Sequence, residues 1–188
     1  MPFFEMIYNN KNIWFVLFAP NGKVTKIRSY LEAGNIKYFY PMFYHEKRIK
    51  GSERKRLTLE PVLRNLLFVK SSKDYLDAFL KDVKLDLDIK SNLYYRDLGT
   101  KEIIVVPEKQ MENFMAVAGC TQEHIIYLSN DEVNLKKGTK IRVIGGHFEG
   151  LEGIFMRIKG NTRVVVTLPH LFSVATAFIP TRFIVPLE

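Results

Sequence analysis

Residues Lys136 to Ile158 read KKGTKIRVIGGHFEGLEGIFMRI, and this segment decides the fold of the C-terminal part of the chain. Apolar residues alternate with polar ones from Lys140 to Ile144 and return from Ile154 to Ile158, which predicts two strands. Glycine permits positive φ angles and close approach of two backbones. The glycines between the strands are Gly145, Gly146, Gly150 and Gly153. Their spacing predicts a tightly curled small β-barrel rather than a linker.

The rest of the C-terminal segment continues the strand pattern. Short apolar stretches with many β-branched residues, such as Val164 to Val166, favour strands over helices. A series of five such stretches is typical of a small barrel. The five predicted strands are Lys140–Ile144, Ile154–Ile158, Arg163–Leu168, Val174–Ile179 and Phe183–Pro186.

The residues before Gly119 mix strand and helix patterns. The apolar run Ile13 to Phe18 predicts a buried strand, and apolar residues at helical spacing follow it at Val24, Ile27 and Leu31. The order β-α-β-β-β-α-β-α predicts an α+β fold, with an N-terminal antiparallel sheet and packed helices, followed by the small C-terminal β-barrel. The predicted domains are residues 1–119, a linker at 120–136, and residues 137–188.

Two further helices are predicted in this N-terminal part. Ser71 or Ser72 is placed to cap a helix with apolar positions from Tyr75 to Val83. The alternation from Asp82 to Asn92 predicts an exposed strand or extended connection. Pro107 marks the start of the other helix, because proline is favoured at the first helical turn.

Positive charge is concentrated in two places. The chain has a net charge of +8 over 188 residues. Residues 45–56 carry six basic and two acidic side chains, and residues 136–188 carry eight basic and three acidic ones. This segregation favours an anionic partner, and the alternative is charge that serves solubility.

Enzymatic and metal chemistry find no support in the sequence. The four histidines lack metal-ligand spacing, and Gly145-Gly146 is not followed by a helix, as a dinucleotide site requires. The single cysteine, Cys120, has no identifiable base partner and suits a reducing compartment. The N-terminus shows neither a secretory signal nor a membrane span. We therefore predict a cytoplasmic protein that is not an enzyme and needs no cofactor or metal.

The glycine-rich segment resembles a KOW motif, which is found in ribosomal proteins and in transcription factors of the NusG family. Other segments resemble that family in the same order, and together they cover nearly the whole chain. They are Trp14-Phe15-Val16, Pro20-Asn21-Gly22-Lys23, Tyr38 to Tyr44, Pro61 to Val69, and Leu171 to Pro180. Arg64-Asn65 stands where the family usually has Pro-Gly, and asparagine tolerates the left-handed backbone of such a turn. This departure indicates a specialised paralogue, similar to operon-specific antiterminators of surface polysaccharide clusters.

The resemblance implies that the N-terminal domain binds RNA polymerase at the clamp helices of the largest subunit. Such a surface needs apolar side chains in a shallow groove. The alternative for each candidate is an ordinary core position, because a sheet with both sides covered buries alternate residues on both faces. The candidates are Tyr8, Trp14, Phe39, Leu63, Leu66 and Phe68.

The basic segment predicts a hairpin arm. In the family this side of the domain lies near upstream DNA and the displaced non-template strand, and lysine and arginine attract phosphates regardless of base sequence. Tyr44 and His45 are placed to stack on an unpaired base. The alternative is a solvated charged loop. The candidate nucleic-acid-binding residues are His45, Lys47, Arg48, Lys50, Arg54, Lys55 and Arg56.

In the family the barrel recruits the termination factor Rho or a ribosomal small-subunit protein, which makes Phe148 and Ile154 candidate contacts here. The alternatives are a turn residue folded back onto the barrel for Phe148 and a core residue for Ile154. Some relatives refold the barrel as a helical hairpin, but the β-branched stretches favour strands here. The predicted function is that of a monomeric elongation factor that suppresses pausing and termination. The alternative function is that of a ribosome-associated or other RNA-binding protein that uses the barrel.

Overall fold

The computed structural model describes residues 12–20, 22–119, 125–128, 138–158, 160–168 and 171–187. The described residues fall into two compact units. The first takes its described residues from 12–40 and 61–108, and the second takes its own from 41–60 and 109–187. No helix in these ranges is long and apolar enough to cross a membrane.

The described residues form helices and strands in the following chain order. They are β1 (Ile13–Phe18), α1 (Val24–Ala33), β2 (Tyr38–Phe39), β3 (Met42–Arg48), β4 (Lys55–Pro61), β5 (Leu66–Ser71), α2 (Lys73–Asp86), β6 (Val105–Val106), α3 (Glu108–Ala118), β7 (Ile126–Leu128), β8 (Thr139–Val143), β9 (Glu152–Ile158), β10 (Asn161–Leu168), β11 (Phe172–Phe178), a 3₁₀ turn (Thr181–Phe183) and β12 (Ile184–Pro186).

The first unit contains the predicted N-terminal sheet, in the strand order β2-β5-β1-β6. These strands pair antiparallel, and the apolar run of β1 lies between β5 and β6 as a central strand. Phe15 and Leu17 pair with Val69 and Leu67, and these four side chains join the core formed with α1 and α2. The α+β fold predicted from the sequence is confirmed.

The two helices of this core follow from apolar spacing. Val24, Ile27 and Leu31 are the buried residues of α1, as predicted. The N–H of Gly34 donates to the carbonyl of Tyr30 at the end of α1. Ser72 precedes α2 in an extended conformation, although its side chain makes no capping hydrogen bond.

The expectation of an extended connection from residue 82 onward is wrong for residues 82–86, because α2 continues to Asp86. Leu76, Leu80 and Val83 are its buried residues, and their spacing is that of one helix face. The helix ends only where Asp88 takes a positive φ of 48°. The alternation in this region therefore belongs to a helix and its exit, and not to a strand.

The second unit contains a six-stranded antiparallel sheet in the order β12-β8-β9-β10-β11-β7. Each of the five strands expected in the C-terminal segment has a counterpart in it. The segment is built from strands, as its β-branched residues indicate. It corresponds to the small C-terminal module that the resemblance implies.

Gly153 shows why the glycine-rich segment curls. A Cβ at this position would lie 2.6 Å from the carbonyl oxygen of Val165 and 2.7 Å from Val164 Cγ1. Such a contact with a neighbouring backbone is too short for any side chain. Glycine at this position therefore allows β9 and β10 to approach closely.

Two features of the second unit add to the sequence analysis. β7 pairs with β11, although it lies in the segment predicted to be a linker. Helix α3 also joins this unit from Lys109 onward. The ring of Phe114 packs edge-on against Phe172 with their centroids 5.3 Å apart, and the N–H of Glu152 donates to Asn113 Oδ1 over 3.3 Å. The predicted domain bounds themselves stay predictions.

Candidate functional site

The sheet of the first unit has a second face, which points away from the core of α1 and α2. Trp14, Val16 and Phe18 alternate with the core residues of β1 and therefore project to this side. Phe68 pairs with Val16 and Leu66 pairs with Phe18, so both lie on this side, as does Phe39, which pairs with Phe68. We call this set the second face, and it is almost wholly apolar.

Four of the six predicted polymerase-binding residues lie on the second face. They are Trp14, Phe39, Leu66 and Phe68. Trp14 and Phe68 are fully buried, whereas Phe39 and Leu66 are partly exposed. The rings of Phe39 and Phe68 are tilted against each other with their centroids 6.5 Å apart.

The other two predicted polymerase-binding residues, Leu63 and Tyr8, have not been placed on the second face. Leu63 is partly buried in the turn before β5, where its carbonyl accepts a hydrogen bond from the N–H of Leu66. Tyr8 lies outside the described residues. That these six residues bind polymerase stays a prediction. The structure shows that four of them lie on one face of the sheet.

Sequence reasoning missed Val16, Phe18 and Val106 as members of the second face. Val16 and Val106 are buried, and Phe18 is 36% exposed. The signal for the first two is simple alternation from Trp14 along β1. Val106 needs the pairing of β6 with β1, which places it opposite Trp14 and which no local pattern provides.

The chain turns at Arg64-Asn65, although Asn65 does not adopt the left-handed backbone conformation that the sequence analysis allowed for. The non-glycine residues with positive φ in the described chain are Asn35, Asp88 and Lys101, so Asn65 is not one of them. The hydroxyl of Tyr40 donates to the carbonyl of Arg64 over 3.0 Å, and the N–H of Ala19 donates to that of Asn65 over 2.8 Å. These bonds hold the turn against β1 and β2.

The predicted hairpin arm is present as the separate two-stranded sheet β3-β4. The N–H of Ile49 donates to the carbonyl of Arg54, and Gly51 takes a φ of +82° in the turn between them. All six lysines and arginines proposed for nucleic-acid binding are exposed. The side chain of His45 lies outside the described part of the chain.

Two of the basic residues of the arm form ion pairs with glutamates of the arm. Lys47 Nζ lies 2.8 Å from Glu60 Oε1, and Lys55 Nζ lies 2.6 Å from Glu46 Oε2. The hydrogen bond that Lys55 donates to Glu46, together with the negative charge of Glu46, raises the pKa of Lys55. The other basic residues of the arm lie toward the turn, where they outnumber the acidic Glu53 and make the local charge positive; they are Arg48, Lys50, Arg54 and Arg56.

The two candidate contacts of the C-terminal module are not prominent surface groups. Phe148 is buried in the turn after β8, with its ring edge-on to His147 at 5.2 Å. Ile154 is partly buried and packs against the core cluster around Val165. Both positions fit the alternatives of a folded-back turn residue and a core residue. Their role in partner binding stays a prediction.

A comparison with protein-family models matches residues 12–115 to the family described as transcription termination factor NusG. The match extends from β1 into α3 and includes the second face and the arm. It covers more than half of the chain. The chain belongs to the NusG family. A search of curated proteins finds no match.

Membership of the NusG family assigns a general function to the chain. The chain is a transcription factor that acts at elongation or termination, and RNA polymerase is the kind of partner that the family binds. The matched residues hold both the apolar second face and the cationic arm. Protein contact and phosphate attraction are therefore available within one matched segment.

Proposed function

We propose that this NusG-family protein is a non-enzymatic elongation factor that suppresses pausing and termination by RNA polymerase, in the cytoplasm and at particular operons. The family match over residues 12–115 carries this proposal. The departure at Arg64-Asn65 supports a specialised rather than a general role. The C-terminal module recruits a further partner, either Rho or a ribosomal small-subunit protein, with Phe148 and Ile154 as its proposed contacts.

The second face supports binding to the clamp helices of the largest polymerase subunit. A helix pair docks by placing apolar side chains into an apolar surface. Phe39, Leu63 and Leu66 are partly exposed and are accessible without rearrangement, whereas Trp14 and Phe68 are fully buried, so the accessible part of the proposed contact is Phe39, Leu63 and Leu66. A factor that binds the closed clamp better than the open one shifts the population toward the closed state and disfavours pausing.

The exposed cations of the arm support contact with upstream or non-template DNA. Phosphate contacts release counterions, so the binding is expected to weaken steeply with salt. Replacing Arg54, Lys55 and Arg56 with glutamine should lower DNA affinity and flatten this salt dependence. A matched control replaces three exposed lysines elsewhere, Lys26, Lys81 and Lys109. Equal DNA affinity of the arm variant and the control at every salt concentration would contradict the DNA contact.

Transcription in vitro tests the proposal as a whole. The template carries a pause site and a terminator, and the full-length protein is added to purified RNA polymerase from the source organism. We expect shorter pauses and more read-through in the presence of the protein. Increased termination would reverse the proposed direction, and an unchanged pattern with no retention on polymerase would contradict the proposal. Retention on ribosomal RNA in place of polymerase would favour the ribosome-associated function.

A further inference from the structure

The second strand of the arm has an inverted apolar pattern. In β4, Leu57 is 61% exposed and Leu59 is 49% exposed, while Thr58 and Glu60, which alternate with them, are partly buried. Thr58 Oγ1 is inaccessible to solvent, and the side chain of Glu60 is only 26% exposed. A half-buried antiparallel strand normally turns its apolar side chains inward. Folding alone therefore does not account for this pattern.

The neighbouring strand adds an aromatic ring to the same surface. Lys55, Leu57 and Leu59 share one side of β4, because side chains alternate along a strand. The ion pair between Lys55 and Glu46 places Glu46 of β3 on that side. Tyr44 lies two residues before Glu46 and therefore shares it, and its side chain is 49% exposed. We call Tyr44, Leu57 and Leu59 the outward face of the arm.

The chemistry of the outward face fits a protein better than a nucleic acid. Bases bind by stacking on aromatic rings, and two of the three residues are aliphatic. Exposed apolar groups bordered by polar and charged residues are instead typical of protein-binding surfaces.

The charges around the face define the partner further. Arg48 shares the side of Tyr44 and Glu46 by the same alternation, and Lys55 lies beside Leu57. The segment 45–56 has six basic and two acidic residues, so its surroundings are positive. A second copy of this chain would bring the same positive charge to the interface and be repelled. The complementary partner is an apolar protein surface with carboxylates at its border.

We propose that the outward face of the arm docks onto such an acid-bordered apolar surface of RNA polymerase, as a contact separate from that of the second face. This proposal rests on the proposed function, because polymerase binding supplies the partner. The turn of the arm, with Lys50 and Arg54, remains directed to phosphates. The arm would thus hold protein along its strands and nucleic acid at its turn.

The test compares two pairs of exposed leucines in the full-length protein. One variant carries Leu57→Ser and Leu59→Ser, and the matched control carries Leu85→Ser and Leu98→Ser, since both control leucines are 81% exposed. Circular dichroism and thermal unfolding establish that both variants are folded. Affinity is then measured for purified RNA polymerase from the source organism and, separately, for a single-stranded DNA oligonucleotide.

We expect the arm variant to bind polymerase at least about tenfold more weakly than the control, which corresponds to about 1.4 kcal/mol. Its DNA affinity should stay within about twofold of the control. A second variant, Arg48→Gln, should weaken polymerase binding at low salt and less so at high salt, because it removes a screened charge interaction.

The outcomes separate this inference from the proposed function. If wild-type protein binds polymerase and the arm variant binds equally well, the docking proposal is wrong and the proposed function stands. If the arm variant loses DNA and polymerase binding in the same proportion, the face serves nucleic acid and the proposal is also wrong. If wild-type protein does not bind polymerase at all, the proposed function itself fails.

Discussion

Strands β4 and β5 follow each other in the chain, and both carry leucines, but they use them in opposite ways. Leu67 of β5 is completely buried, whereas Leu57 of β4 is 61% exposed. β5 lies inside a four-stranded sheet, with Leu67 on the face that packs against α1 and α2, whereas among the described residues β4 pairs with β3 alone. The comparison shows that an apolar side chain is buried only where another layer covers its face of the strand. Where nothing in the same sheet or its helices does so, the apolar residue is available for a partner.

The difference between the two strands is tested most directly by shortening one leucine on each of them. Leu67→Ala leaves a cavity in a packed core and should lower the free energy of unfolding by about 2–5 kcal/mol. Leu57→Ala removes an exposed side chain and should change it by less than about 0.5 kcal/mol. Urea unfolding followed by circular dichroism measures both. Similar losses in the two variants would show that the arm's leucines are part of a core after all.

A second prediction extends the comparison to the closely packed strands β9 and β10. Gly153→Ala places a methyl group 2.6 Å from the carbonyl oxygen of Val165, so the strands must separate. We expect a loss of about 1–3 kcal/mol, as for other overpacked sites. Gly99→Ala is the control, because the nearest atom to its new methyl group would be a side-chain oxygen, Asp97 Oδ1, at 3.3 Å rather than a strand backbone. Thermal unfolding would contradict the prediction if both variants melted at the same temperature.

The sequence predicted those secondary-structure elements that depend on a local pattern of residues. The apolar run of β1, the helical spacing of α1 and the glycine-rich approach of β9 were all readable, because each is encoded within a few neighbouring residues. The length of α2 was not. Val83, Leu85 and Leu87 alternate as in a strand, while Leu76, Leu80 and Val83 follow a helix, and tertiary packing decides between the two periods.

Features that depend on distant pairing escaped sequence analysis. β7 is a three-residue strand in a polar segment, and only its pairing with β11 identifies it. The second face was partly visible in Trp14 and Phe68, but its continuity across Phe39 needs the register of three strands. The exposure of Leu57 and Leu59 was not visible either, because an alternating strand does not reveal which of its faces is covered.

A partly buried tyrosine of the C-terminal sheet, Tyr127, extends the comparison of buried and exposed side chains to the pH dependence of stability. Burial raises the pKa of Tyr127 to about 12, from an ordinary value of 10.0. Between these values the unfolded chain loses the proton and the folded chain keeps it. The stabilisation is therefore complete below pH 10 and is lost as the pH rises toward 12.

Tyr127→Phe should reduce this alkaline loss of stability, and replacement of the exposed Tyr75 by phenylalanine should not. Urea unfolding midpoints at a series of pH values from neutral to alkaline measure the difference. Identical pH dependence in wild type and Tyr127→Phe would show that the ring at residue 127 is as accessible to water as an exposed tyrosine.

The smallest expected effect comes from comparing one ion pair beside each of the two strands. Lys70 of β5 lies 2.8 Å from Glu108 Oε2, and its hydrogen bond is the main cause that lowers the pKa of this carboxyl from the ordinary value of 4.5. Lys70→Met should cost only about 0.2–1 kcal/mol at neutral pH, because Glu108 is 44% exposed and water screens the pair. On the arm, Lys55→Met should cost nothing measurable, since both partners of its pair are more than half exposed.

The pH dependence distinguishes an electrostatic cost at Lys70 from lost packing of its aliphatic chain. A carboxyl with a lowered pKa stabilises the folded state above its ordinary pKa, and this contribution disappears as the pH falls through the folded value. Wild type and Lys70→Met should therefore differ at neutral pH and converge well below pH 4.5. If the difference persisted unchanged in acid, the lysine would act on β5 through its apolar stem, and the ion pairs of the two strands would be equivalent in having no measurable effect on stability.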